Sequence, residues 1–168
     1  MAKAQLKRQK FQPPKQRIKW STHVPTYKTR YTGIKGRFWD IFSDFVRMRD
    51  FTAYERCISC NRVVMNWREL QAGHYRAAGR CGFALLFNEQ NVNGECMGCN
   101  GFDQDHLIGY RKGLDARHGK GTAEKLDAMY NEANFKGKTT KEWTESEYEE
   151  KIYYYIGEID KIKKLGVV

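Results

Sequence analysis

The chain of 168 residues contains no run of 18 apolar residues, which excludes a membrane-spanning helix of the ordinary kind. Proline is scarce: there are three, Pro13, Pro14 and Pro25, and none follows to break a later helix or strand. Acidic residues are absent from positions 1–37, where eleven Lys or Arg stand alone. Residues 38–168 hold nineteen basic and twenty acidic residues, so the formal net charge of +10 belongs to an N-terminal arm and not to the body. Met1 to Lys10 lacks the apolar h-region of a secretory signal, which points to an intracellular, cytoplasmic protein. In that reducing setting five cysteines do not read as a disulfide framework. Apolar residues at 40% and aromatics at 14% exclude wholesale disorder, and the length suits about one domain.

What is present begins with the arm. Phe11, Trp20, Tyr27 and Tyr31 are interleaved with its cations. A cationic, proline-bearing segment without a sustained amphipathic period suits a polyphosphate better than a membrane surface, gaining affinity by counterion release. Lys7, Arg8, Lys10, Lys15, Arg17 and Lys19 are its candidate DNA contacts, with a solvated solubility tail as the alternative.

Four cysteines form two C-x2-C pairs, Cys57-Ile58-Ser59-Cys60 and Cys96-Met97-Gly98-Cys99. Each pair offers two thiolates from a tight turn, and two pairs complete a tetrahedron, so a structural Zn2+ is expected. A redox pair would not need a second C-x-x-C. Cys81 is left over as a small buried hydrophobe.

Periodicity predicts a first helix from about Lys35 to Asp50, with Phe38, Ile41, Phe42, Phe45 and Met48 on one face. Short strands are expected at Val63 to Trp67 and at Ala84 to Phe87, separated by a glycine-punctuated loop from Gly73 through Gly82. A helix should begin within or just after the second cysteine pair and stop at Gly119, and another should open at Thr122. Thr144-Glu145-Ser146-Glu147 is a capping box for a last, long helix with Tyr148, Ile152, Tyr155, Ile156, Ile159 and Ile162 on one stripe. That stripe would pack on the domain or pair with a second copy, making a homodimer seam.

Between the cysteine pairs lie His74 and Asn91, and Asn100 directly follows the second pair. This order resembles the HNH endonucleases in their H-N-N form. Hydrolysing a phosphodiester needs an in-line water, a base for its proton and a cation for the leaving oxygen. An imidazole is a suitable base near neutral pH, so His74 is the candidate. Asn91 would position the hairpin and the His ring. Asn100 would present an oxygen to Mg2+ or Mn2+, and Asp103, three residues on and so on the same helical face, would add a carboxylate. Taken singly, each of these residues also reads as an ordinary surface, turn or helix-start residue; their joint placement inside the cysteine pairs carries the reading.

The stretches Cys57-x2-Cys60, Ala72-Gly73-His74-Tyr75-Arg76, Phe87-Asn88-x2-Asn91, Cys96-x2-Cys99-Asn100 and Tyr110-Arg111-Lys112-Gly113-Leu114 resemble the NinG (Rap) family of lambdoid phages, over roughly Phe38 to Gly119. The cysteine layout with Asn directly after the last Cys is also similar to the phage endonuclease VII class. The resemblance implies a recombination endonuclease acting on branched DNA, D-loops and Holliday junctions, in the infected host cell, alongside phage or host recombination proteins. One departure stands out: HNH sites usually place Asp or His just before the base, and here that place is Gly73. Either Asp103, Asp105, His106 or Glu95 completes the metal shell, or the ion rests on Asn100, water and DNA phosphate.

The expected fold is therefore α+β: a small zinc-stapled ββα-metal (HNH) core with flanking helices, a flexible arm over residues 1–34, a nuclease domain over 35–120 and a helical region over 121–168. Tyr75, Arg76, Arg80, Arg111 and Lys112 are expected to contact phosphates, which position a substrate without reading its sequence. The rival reading is a non-catalytic, zinc-stabilised nucleic-acid-binding accessory protein of recombination, which leaves the spacing of His74, Asn91 and Asn100 unexplained.

Overall fold

A computed structural model describes residues 31–103, 105–135 and 140–166. The basic positions from Lys7 to Lys19, and the arm up to residue 30, lie outside the described residues. Helix α1 (Gly33–Tyr54) starts earlier and ends later than its periodicity predicts, because Phe51 prolongs the buried stripe of Phe38, Phe42, Phe45 and Met48. It ends where Glu55 takes a left-handed backbone, φ 51°. The arm expected to run to residue 34 is already tied down at Tyr31, whose ring meets Trp39 and Phe87 edge-on at 6.0 and 6.1 Å.

The hairpin is not where the apolar runs placed it. Val63 makes a single bridge with Arg56, and Met65 is exposed. Trp67–Glu69 is a 3-10 turn capped by the Asn66 side chain, which accepts from the Arg68 N–H at 2.9 Å. The strands are β1 (Leu70–His74) and β2 (Val92–Cys96), antiparallel, with Leu70 opposite Cys96, Gln71 opposite Glu95, Gly73 opposite Asn93 and His74 opposite Val92. Part of the expected glycine loop is thus strand. Conversely, the expected strand at Ala84 to Phe87 is a helical turn, α2 (Phe83–Leu86), because a four-residue apolar run has no period that separates helix from strand.

Helices α3 (Met97–Gly101), α4 (His106–His118) and α5 (Thr122–Phe135) follow, with α4 ending at Gly119 as expected. The last helix, α6 (Glu145–Lys164), carries the expected capping box: Thr144 Oγ1 accepts from the Glu147 N–H at 3.3 Å and Glu147 Oε2 accepts from the Thr144 N–H at 2.7 Å. Its buried residues Tyr148, Ile152, Tyr155 and Ile159 pack on α1 within the same chain. The face offered as a homodimer seam is therefore used internally. Tyr155 lies 5.2 Å from Phe42 and 4.8 Å from Phe45, ring to ring, and Phe87 meets Phe38 edge-on at 4.9 Å. Residues on both sides of position 120 join this one core, which runs from Phe38 to Ile159.

A buried charge locks the hairpin to the helices. The Asp50 carboxylate has no exposure, and accepts from Arg49 Nε at 2.7 Å, from the Gly94 N–H at 2.5 Å and from Arg117 Nη1 at 3.1 Å. Pairing on both oxygens offsets the desolvation that an isolated buried carboxylate would suffer. Phe42 is wholly buried among aromatic rings, so Phe42→Ala is expected to destabilise the fold by about 3–5 kcal/mol, the usual range for emptying such a site. Urea unfolding followed by circular dichroism checks this, and a loss near zero would mean α6 is not held by this core.

Candidate metal centre and active site

The two cysteine turns meet at the end of the hairpin. Cys57, Cys60, Cys96 and Cys99 place their sulfurs within 4.8 Å of one another, three of them buried and Cys60 exposed. The first turn is docked on β2 by the Ile58 N–H to the Gly94 carbonyl at 3.0 Å and the Cys96 N–H to Cys57 Sγ at 3.3 Å. A tetrahedron of Zn–S bonds near ~2.3 Å has edges of about 3.8 Å. Cys60 Sγ and Cys96 Sγ lie 3.8 Å apart, so the donor set fits a metal ion such as zinc. Burial pushes the Cys57 thiol up to about 11, and burial next to Cys60 raises Cys99 as well. Without a cation Cys57 and Cys99 stay protonated at neutral pH, whereas at Cys96 burial is outweighed by hydrogen bonds from Cys99, Cys57 and Cys60, which lower that thiol.

His74, the last residue of β1, is oriented from two sides. Its Nε2 lies 2.9 Å from the Leu86 carbonyl, and its ring stacks on Trp39 with centroids 5.3 Å apart. A carbonyl only accepts, so Nε2 carries the proton and Nδ1 is the basic nitrogen of the neutral ring. Asn91 is fully buried and clamps the chain around it. Its Oδ1 accepts from the Arg76 N–H at 2.8 Å, while Nδ2 donates to the carbonyls of Arg76 and Leu85 at 3.2 and 3.0 Å. It therefore positions the backbone segment that holds His74 rather than touching the imidazole.

Asn100 sits in α3 with Nδ2 donating to Gln71 Oε1 at 2.7 Å. A Cβ built on Gly73 would lie 3.0 Å from Asn100 Oδ1, which places that oxygen beside β1. Asp103 does not share its helical face: α3 ends at Gly101, and Asp103 is exposed with Oδ1 accepting from the Asp105 N–H at 2.9 Å.

The residues expected at phosphates separate into two groups. Tyr75 is buried, with its hydroxyl accepting from Arg111 Nη1 at 3.1 Å, so its ring belongs to the core. Arg76 and Arg111 converge on Asp127 of α5, at 2.5 and 2.7 Å. Partial burial pushes the Asp127 carboxyl up, but the hydrogen bonds from both arginines outweigh it and hold the group below the ordinary carboxylate range. Arg80 and Lys112 are exposed. His74, Arg76, Arg80, His106 and Tyr130 line an open cleft of about 210 Å³. A second cleft of about 340 Å³ is lined by Arg62, Arg68, Gln71, Cys96 and Met97.

Sequence reasoning gave Gln71, Arg62, Arg68 and Asp127 no role, and named Glu95 and His106 only as alternatives. The Tyr-Arg-x-Gly-Leu element now has a physical reading. Tyr110 donates to the Gly73 carbonyl at 2.8 Å, and Leu114 is wholly buried. A Cβ at Gly113 would overlap the Ile58 carbonyl oxygen, so only glycine lets α4 cross the first cysteine turn this closely.

The sequence profile described as "NinG: Bacteriophage Lambda NinG protein" matches residues 1–165. The chain belongs to the NinG family. Similar proteins include Protein ninG of Escherichia phage lambda, 32% identical over 87 residues, which is 52% of this chain and 40% of that protein. Protein ninG of Escherichia phage 933W is 31% identical over 87 residues, 52% of this chain and 41% of the other. Protein ninG of Salmonella phage P22 is 29% identical over 110 residues, 64% of this chain and 50% of the other. The match thus spans half or less of the length of these curated relatives. No solved structure gives a significant match. Among the described residues no helix of this NinG-family chain is long and apolar enough to cross a membrane.

Because burial holds the metal-free Cys57 and Cys99 thiols protonated, loading the four-cysteine centre must release protons. Titrating Zn2+ into stripped protein in two buffers of different ionisation heat should show proton release, with affinity rising from pH 6 to 8. Cys99→Ser should abolish tight binding and lower the melting temperature.

Proposed function

We propose that this NinG-family chain is a metal-dependent DNA endonuclease of the HNH type, hydrolysing phosphodiester bonds in branched recombination intermediates. The observation that carries the reading is the orientation of His74. Its Nε2 is committed to the Leu86 carbonyl, its ring is held by Trp39, and it faces an open cleft between Arg80 and His106. A surface histidine has no need of such fixing, whereas a general base does. In this reading His74 Nδ1 takes the proton from the attacking water, and Asn91 keeps the Leu85–Leu86 backbone where it fixes the imidazole. Asn100 is the helix-borne oxygen ligand for Mg2+ or Mn2+, which supplies positive charge for the leaving oxygen when bound. Zn2+ in the four-cysteine centre is structural, joining the two turns that bracket the hairpin.

The branched substrate, D-loops and Holliday junctions, follows from the family resemblance, as does action in the cytoplasm of an infected host with phage or host recombination proteins. Arg80 lines the cleft and Lys112 is exposed on α4, and both suit phosphate contacts. Arg76 and Arg111 act mainly by anchoring α5 through Asp127. Lys7, Arg8, Lys10, Lys15, Arg17 and Lys19 supply a sequence-independent grip on a neighbouring duplex limb.

The test compares four-way junction, D-loop and linear duplex DNA in Mg2+, Mn2+ and EDTA. Wild type is expected to cut branched DNA only with a divalent ion, and His74→Ala to bind it normally but cut it at least ~100-fold more slowly. Tight binding without cutting under either ion would favour the non-catalytic zinc-stabilised binder. Removing residues 1–30, which hold nine Lys or Arg, is expected to weaken junction binding and flatten its salt dependence. An unchanged slope would show that the arm does not touch the phosphates.

A further inference from the structure

Gly73 stands where the HNH pattern has an acidic or imidazole ligand, and the tertiary structure shows what occupies the space of the missing side chain. A Cβ on residue 73 would overlap Glu95 Oε2 and lie 3.0 Å from Asn100 Oδ1. Glu95 reaches that place from the neighbouring strand, where it sits opposite Gln71. Its side chain is wholly buried. Oε1 accepts from Ser59 Oγ at 2.5 Å and pairs with His106 Nδ1 at 2.7 Å. Oε2 is buried with no hydrogen-bond partner.

A buried carboxylate oxygen left unpaired is strongly unfavourable, and a bound cation is one way to satisfy it. The amide beside it is pinned in a complementary sense. Asn100 gives its N–H to Gln71 at 2.7 Å, so the atom turned toward the carboxylate is its oxygen. Two oxygen donors, one charged, converge on one point without a protein donor between them, which is the donor chemistry of Mg2+ and Mn2+ and not of zinc in a sulfur site. His106, which fixes the carboxylate, also lines the cleft that His74 faces.

We propose that Glu95 replaces the ligand missing at residue 73: its Oε2 and Asn100 Oδ1 are the protein oxygens that hold the divalent cation, while Ser59 and His106 fix the carboxylate through its other oxygen. The inference rests on the metal-dependent reading above and names the ligands within it. It also explains why residue 73 is glycine, since the carboxylate and a side chain at that position exclude each other. The carboxylate is delivered across the hairpin instead of along the strand.

Mn2+ binding is measured on the full, zinc-loaded chain without DNA, and cutting is read in the branched-DNA assay above. Mn2+ alone is titrated to millimolar concentration, and bound Mn2+ is read from the loss of the free-ion electron paramagnetic resonance signal. Zinc content and melting temperature are measured on every variant. Wild type is expected to bind a single Mn2+ beyond its zinc. Glu95→Gln and Asn100→Ala should bind at least ~10-fold more weakly, and His74→Ala should bind as wild type does while failing to cut. A relocation variant, Gly73→Asp with Glu95→Ala, should regain Mn2+ binding relative to Glu95→Ala alone. If Glu95→Gln loses zinc or melts early, the relocation variant decides: recovery supports the assignment and no recovery overturns it. Wild-type affinity in Glu95→Gln overturns it and leaves the nuclease reading standing. Wild type that cuts DNA yet binds no extra Mn2+ overturns it in favour of an ion held by DNA phosphate. No extra Mn2+ and no cutting overturns both readings.

Discussion

Four thiols lie within 4.8 Å of one another at the meeting of two turns that are far apart in the chain. Burial keeps the Cys57 and Cys99 thiols protonated, and four thiolates repel one another unless a cation sits among them. The rest of the structure follows from satisfying that constraint. Cys96 closes β2, and the Cys57 turn is hydrogen-bonded to the same strand through Ile58 and Gly94. Bringing the sulfurs together therefore also fixes the strand register, the start of α3 and the path of α4 across the first turn, where Gly113 leaves room for the Ile58 carbonyl.

The aromatic core and the site are one mechanical unit. Trp39 belongs to the helix that packs on α6, and its ring also stacks on the His74 ring. Phe87 follows directly on Leu86, whose carbonyl orients that imidazole, and it packs against Phe38 and Trp143. The C-terminal helix thus stabilises the hairpin through two layers of aromatic contact, even though no functional residue is assigned to it. This arrangement also explains why its apolar stripe faces inward: α1 offers a complementary row of rings, and burial there removes more apolar surface from water than exposure would allow.

Elements with strong local signals were legible in the sequence. The long helices, the capping box at Thr144 and the stop at Gly119 all depend on residues within a turn of one another. The hairpin was misplaced because its strands are only five residues each and are defined by pairing, with buried positions that do not alternate cleanly. Val63 to Trp67 looked more strand-like than Leu70 to His74, but the Asn66 cap turns the chain there. Asp103 was misjudged for a related reason: its spacing from Asn100 matters only if the helix continues, and α3 stops first. Tyr75, Arg76 and Arg111 read as surface charge and ring, and their shared partner Asp127 lies on a helix that no local pattern connects to them.

By itself the sequence determined the family, the two cysteine turns and the helical frame, and it named His74, Asn91 and Asn100 as candidates, because each is written in residue type and close spacing. Only the tertiary structure decided that Glu95 fills the place left by Gly73, that Asn91 acts on His74 through the backbone, and that the α6 stripe is covered by α1. These depend on strand register and on contacts between residues of different elements, where the energy comes from burial and from pairing charges that water no longer solvates.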